Sequence, residues 1–357
     1  MLFDKFREEV DRGLKGLNKG IPTGISKLDK VLNGLDRGVY YTIFSEGGTG
    51  KSSLAWSIII NLIDYCLEHK IKIKVFLFSL EVVAVRVLAK MLCYKIYKDK
   101  KILLDPDYLL SRGDHKPSLK LLDLIFSYKS YFDSLESLGV LEIHDTPHSP
   151  QDIFLKVENY ALKNGKIDRL TGKYTPNDPN EYTVILTDTV GNLVNTGGST
   201  KQTIDTHSAY CRSTYRDLYN YIPINISHAN RAISDPVRAK LGEVFPILSD
   251  IKETNMLEQD SSVVLTLFNP YKHMATFKDL QRFMGYDINI LRNRFRCIGV
   301  LKNRHGADNI RVGLVYHGEC GSFSDLPKAS EMTADDYKNV WQYKSQSGNS
   351  SDTETEV

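Results

Sequence analysis

The segment Ser45-Glu46-Gly47-Gly48-Thr49-Gly50-Lys51-Ser52 constrains this chain more than any other stretch of it. It departs from the phosphate-loop pattern G-x-x-x-x-G-K-[ST] only in Ser45 at the first position. A β-rich run, Val39–Phe44, precedes it, and Ser52–Cys66 follows with helical apolar spacing. That order is what the loop's chemistry needs, because glycines let backbone N–H groups wrap phosphate oxygens at a helix start. Glu46, Gly47, Gly48, Thr49, Gly50 and Ser53 would line a nucleotide with Ser45. Lys51 would reach the β- and γ-phosphates, and the Ser52 hydroxyl would hold Mg²⁺. A Gly-rich turn with a chance Gly-Lys-Ser is the bland alternative, and the flanking elements argue against it.

Beyond the loop, strands and helices alternate. Lys74–Leu80 reads as a strand and Val82–Tyr97 as a helix; Val140–His144 and Ser149–Leu162 repeat the pair. Tyr182–Thr187 is a strand, Ile204–Tyr219 a helix and Ile222–Ser227 a strand. This grammar predicts an α/β fold with a mainly parallel central sheet and helices on both faces. After Pro236 it changes: Val263–Phe268, Phe295–Val300 and Ile310–His317 read as β-rich, partly antiparallel additions. The turn-rich residues 165–181 predict a hairpin-like surface insertion, and the polar residues 344–357 a disordered tail. Residues 1–19 read as a short amphipathic helix with Leu2, Phe3, Phe6, Val10 and Leu14 on one face. It needs a surface to dock on, either its own domain or a neighbouring subunit.

Composition removes several classes of function. With 46 Lys+Arg against 44 Asp+Glu, the net charge of +2 excludes a strongly basic coat for duplex DNA. Nucleic-acid binding would need a local basic lining. No run of about 18 apolar residues could span a membrane, and the N-terminus lacks a signal-peptide core, so a cytosolic location is expected. Five scattered cysteines without a CxxC read as reduced structural thiols.

Two carboxylates stand at the ends of apolar strands. Asp188 follows Tyr182–Thr187, where an acid can organise magnesium and its water shell. Glu81 closes the run FLFSLE, where a loop beyond a parallel strand opens on the ligand crevice and a base can polarise the attacking water. Strand-end or helix-capping carboxylates are the alternative for both.

Several blocks in order resemble the motor domain of DnaB-like replicative helicases, a RecA-like P-loop NTPase. GIPTGISKLDKVLNGL (20–35) is similar to that family's lead-in to its first strand. FSLEVVAVRVLAKMLC (78–93) is similar to its segment with the catalytic glutamate, which maps onto Glu81. HDTP (144–147) resembles the turn after its third strand. LSDIKETNMLEQDSSVVLTLF (248–268) and LKNRHGADNIRVGLVYHGECGSFSDL (301–326) resemble its late motif and its C-terminal β-hairpin motif. The family also tolerates a small residue other than Gly where Ser45 stands.

The resemblance implies further roles. Lys302 and Arg304 match paired basic residues that reach the nucleotide of an adjacent subunit, Arg304 as an arginine finger. His228 stands where bacterial members usually carry a γ-phosphate-sensing glutamine, and Lys90 where they carry an arginine near the base. Contact with single-stranded DNA is expected from Arg238 and Lys240 in the loop 232–246, and from Lys252, Glu253 and Asn255, with Lys252 replacing an arginine. The segment 192–199 would supply another channel loop. The family's N-terminal collar, which meets primase, has no counterpart in residues 1–19, as in a stripped, phage-type form; a primase or loader partner is left open. The expected unit is a motor domain over 20–343, with residues 1–19 docking on the next subunit of a hexameric ring. The function implied is an ATP- and Mg²⁺-dependent DNA helicase; a RecA- or RadA-like recombinase and a nucleotide-gated DNA-binding scaffold are the alternatives.

Overall fold

The computed structural model describes residues 2–16, 18–230, 233, 238, 243–275, 278–342 and 344–345. Strands β1 (Tyr41–Ser45), β2 (Ile73–Ser79), β3 (Leu141–His144), β4 (Tyr182–Asp188), β5 (Ile222–His228), β6 (Val263–Phe268), β7 (Phe295–Asn303), β8 (Ile310–His317) and β9 (Ser322–Asp325) form one nine-stranded sheet. Its order is β9-β8-β7-β6-β1-β5-β4-β2-β3. The part from β6 to β3 is parallel throughout, and β7, β8 and β9 extend it antiparallel. Val263–Phe268 is thus not one of the antiparallel additions: it pairs parallel with β1, Tyr41 opposite Val263. An apolar run buried on both faces carries no mark of its direction.

Every residue of β1, β2 and β4 is buried, which explains their nearly unbroken apolar runs. Side chains alternate between two cores. Tyr41, Ile43, Val75, Leu77, Val184 and Leu186 meet helix α3 (Lys51–Glu68) through Leu54, Ile58, Ile59 and Leu62. Tyr40, Phe44, Phe76, Phe78 and Ile185 meet the opposite layer, including Ile153 and Val157 of the helix Pro150–Asn164. That helix opens on a reciprocal capping box between Ser149 and Asp152, as its Ser-Pro start implies.

Helix α4 (Ala84–Lys100) follows β2. The helix expected over 204–219 is α-helical only from Thr200 to Ala209 and continues with π-type spacing through Tyr210–Arg216. Gly165–Ile167 pairs antiparallel with Tyr174–Pro176 in a small hairpin. Helix α1 (Leu2–Leu14) leaves Leu2, Phe3, Phe6, Val10 and Leu14 all exposed. The five cysteines are buried and unpaired. No helix among the described residues is long and apolar enough to cross a membrane. Most of the predicted tail lies outside the described residues.

β1 sits at a switch point. The chain lays β2 to β5 on one side of it and β6 to β9 on the other, so a crevice opens beyond its carboxyl end.

Candidate nucleotide site

The phosphate loop leaves β1 at that crevice. Ser45 is the last residue of the strand, in register with His228, and its carbonyl accepts from the Ala229 N–H at 2.9 Å. Its backbone is ordinary strand, so the position has no need of glycine. The hydroxyl also works within the loop, hydrogen-bonding the Thr49 hydroxyl and donating to Glu46 O at 3.0 Å. Gly48 (φ +71°) and Gly50 (φ +100°) do need to be glycine. A Cβ on Gly50 would also come within 2.8 Å of the Tyr316 ring.

Lys51, Ser52, Glu81, Asp188 and His228 converge beside the loop. Ser52 Oγ donates to Asp188 Oδ1 at 3.1 Å. Thr189 faces both carboxylates, with its Oγ1 3.1 Å from Asp188 Oδ1 and 3.4 Å from Glu81 Oε2. Lys51 Nζ lies 3.1 Å from His228 Nδ1. An ammonium can only donate, so Nδ1 accepts and the ring proton belongs on Nε2. That nitrogen is 3.9 Å from Glu81 Oε2.

Burial sets the charges here. It pushes the Asp188 carboxyl up to about 6, against hydrogen bonds from Ser52 and Thr189 and the charge of Lys51. Burial also lowers Lys51, with Asp188 and Glu81 opposing it and Lys272 adding to it. His228 falls below the usual histidine range through burial and then the Lys51 charge, so it is neutral at pH 7. A buried carboxylate with no fixed cation beyond Lys51, paired with a hydroxyl, is a hard-oxygen set that suits Mg²⁺.

The strand ends also connect this cluster to a second loop. Lys252 N–H donates to His228 O at 3.0 Å, and Ala229 bridges Ile251. Lys252 and Glu253 are exposed just beyond, paired at 2.9 Å, and Asn255 is exposed after them. Arg238 pairs with buried Asp250 at 2.6 Å and donates to Phe245 O at 3.3 Å, which ties its loop down. Lys240 lies outside the described residues. Lys90, on α4, is exposed and holds its ammonium 5.6 Å from the Trp56 ring centroid.

Lys302 and Arg304 are elsewhere. Lys302 pairs in register with Val264 at the beginning of β6, which lies level with Thr42 at the beginning of β1. From there to the loop at Ser45 is roughly 10 Å of strand, at about 3.3 Å per residue. Both side chains bond to the last carbonyls of the helix Met256–Asp260: Lys302 Nζ to Glu258 O, Arg304 Nη2 to Gln259 O at 2.7 Å. Cations at a helix carboxyl end are favourably placed.

Sequence reasoning missed Thr189, Lys272, His273, Arg296 and Tyr316. Arg296, buried, donates from Nε to Thr49 O at 2.8 Å and stacks over Tyr316 at 4.6 Å. His273 Nε2 lies 2.7 Å from Glu46 Oε2. Only Thr189 carried a signal, its place next to Asp188.

Residues 20–146 match the family model of the DnaB-like helicase C terminal domain. No curated protein matches the chain. Among solved structures, the chain is similar to the ATPase domain of a phage helicase, with a TM-score of 0.67 and 17% identity over 91% of this chain and 98% of that one. It is also similar to a DnaB-like replicative helicase described with its interactions with primase, with a TM-score of 0.65, 17% identity and 91% of this chain covered. The match spans 66% of that longer chain. A KaiC-like protein of Pyrococcus horikoshii OT3 matches at a TM-score of 0.50 and 11% identity, over 86% of this chain and 98% of that one. At these identities the likeness is one of fold: the RecA-like α/β architecture.

Proposed function

From the premise that this chain carries the DnaB-like helicase C-terminal, RecA-type ATPase domain, we propose that it is a ring-forming, ATP-driven DNA helicase that moves on single-stranded DNA. One observation carries the reading. A phosphate loop, two carboxylates and a neutral histidine gather at the carboxyl end of the parallel strands, while the two cations needed to complete a hydrolytic site lie at the other end. A chain with both half-sites is completed by another copy of itself, head to tail, and such contacts close into rings. A hexamer is the ring we propose.

Lys51 and the loop amides hold the ATP phosphates. Ser52 and Asp188 hold Mg²⁺, which supplies charge neutralisation on the phosphate oxygens. Glu81 takes a proton from water as the water oxygen attacks the γ-phosphorus; the bond to the ADP oxygen breaks in line. The neutral His228 donates from Nε2, and Thr189 orients Glu81. Lys302 and Arg304 of the adjacent subunit offset charge that develops on the transferred group.

His228 lies one backbone hydrogen bond from Lys252, so its rearrangement on γ-phosphate loss has a direct route to Lys252, Glu253 and Asn255. These residues, with Arg238 and Lys240, line the path of one DNA strand in this reading; Lys90 contacts the nucleotide. A strand held inside a ring needs few cations per subunit, which suits the near-neutral chain. The exposed apolar stripe of α1 docks on the next subunit.

The test is unwinding of a forked duplex with and without ATP. Wild-type protein separates the strands only with ATP, and Glu81→Gln binds ATP without unwinding. ATP-independent separation, or full DNA-stimulated hydrolysis by Glu81→Gln, contradicts the assignment.

A further inference from the structure

One cation beside the phosphate loop has no role in the site described above. After β6 the chain makes a short turn, Pro270–His273, fixed at both ends. The Asn269 side chain accepts from Tyr271 N–H at 3.1 Å and reaches Asn293 at 3.2 Å. His273 stacks on Phe268, 5.5 Å between centroids, and meets Glu46 at 2.7 Å. Held between these anchors, Lys272 is exposed and donates from Nζ to Gly47 O at 2.7 Å.

Two features separate Lys272 from an ordinary surface lysine. It has no carboxylate partner among the described residues, although the turn beside it is pinned to a carboxylate on the loop itself. Its charge also acts on Lys51. Two ammonium groups therefore approach the loop from opposite flanks, Lys51 beside β5 and Lys272 from the end of β6. Like charges repel without a counter-charge between them, and a polyphosphate supplies one.

We propose that Lys272 is a second cis contact for the nucleotide phosphates, on the flank opposite Glu81 and His228. The inference rests on the proposed nucleotide site. On phosphate binding, Nζ turns from Gly47 O to a phosphate oxygen, and its ionic hydrogen bond replaces a neutral one. An arginine could serve there; a neutral amide could keep the carbonyl bond but not the charge.

The test is binding of a fluorescent, non-hydrolysable ATP analogue with Mg²⁺ to the full chain. Variants are Lys272→Ala, Lys272→Gln and Lys272→Arg, with Lys51→Ala as a separate control. Thermal melting confirms that each variant is folded. Alanine and glutamine should each raise the Kd about tenfold, a loss of about 1.4 kcal/mol, and arginine should stay within about threefold of wild type. The proposal is overturned if alanine binds as wild type does, or if glutamine restores binding, since either result leaves the charge unused. Wild-type affinity in Lys51→Ala would instead refute the nucleotide site itself.

Discussion

The two ends of the parallel strands hold comparable charge but use it differently. At the carboxyl end of β1, Lys51, Asp188, Glu81 and His228 face one another, and burial shifts three of them from their ordinary ionisation. At the opposite end, Lys302 and Arg304 rest on the carbonyl end of a short helix. Burial, with help from Arg304, lowers Lys302 as well. The first end is an internally coupled cluster lacking a cation for the transferred group. The second is a pair of cations lacking an anion. The difference teaches that the unit of chemistry is the junction between chains rather than the chain.

The largest effect should come from the second end. Arg304→Ala should lower DNA-stimulated ATP turnover by about 10³-fold or more while nucleotide binding to the same chain persists. Loss of binding in step with turnover would place Arg304 in the ordinary fabric of the fold. Next is the base at the first end: Glu81→Gln should cost about 10²- to 10⁴-fold in turnover under saturating ATP, measured by phosphate release. A loss confined to KM would contradict its role.

Asp188 sharpens the contrast through stability. Its ordinary value is 3.8 and burial raises it to about 6, so the empty folded chain carries a carboxylate that resists ionising. Below the ordinary value it is protonated both folded and unfolded, and its contribution is intact. As the pH rises from there through the folded value, the unfolded chain ionises first and stability is lost. Asp188→Asn should therefore melt higher than wild type at about pH 8 without nucleotide, by up to about 3 kcal/mol. The gap should close as the pH falls toward the ordinary carboxylate range. A constant gap across that range would show that another cause operates. The smallest effect is expected at His228. His228→Gln keeps a neutral donor and should hold turnover within about tenfold, whereas His228→Ala should lose more, as a hydrogen bond to a charged group is worth roughly 1.5–3 kcal/mol.

What the sequence disclosed follows from how local each feature is. The loop, Glu81 and Asp188 were legible because each sits at the end of an apolar strand, and in parallel sheets those ends meet. Ser45 needed only its place in β1 to be understood. The opposite-flank contacts were not legible: Lys272 reaches Gly47 and Arg296 reaches Thr49 across most of the chain. Neither is marked by periodicity, since pairing across the sheet brings them there. The direction of β6 was hidden for a similar reason, because burial on both faces erases the alternation that distinguishes a hairpin addition. The π-type turns of Tyr210–Arg216 shift the helix by a residue, too little to disturb an apolar pattern.

The central claim, that each site is shared between two chains, is met most directly by mixing Lys51→Ala subunits with Arg304→Ala subunits and measuring DNA-stimulated ATP hydrolysis. Each variant alone should be nearly inactive. In the mixture, some junctions join an intact phosphate loop to an intact Arg304, so activity should rise well above the sum of the two. A mixture no more active than that sum, across all ratios, would contradict the account.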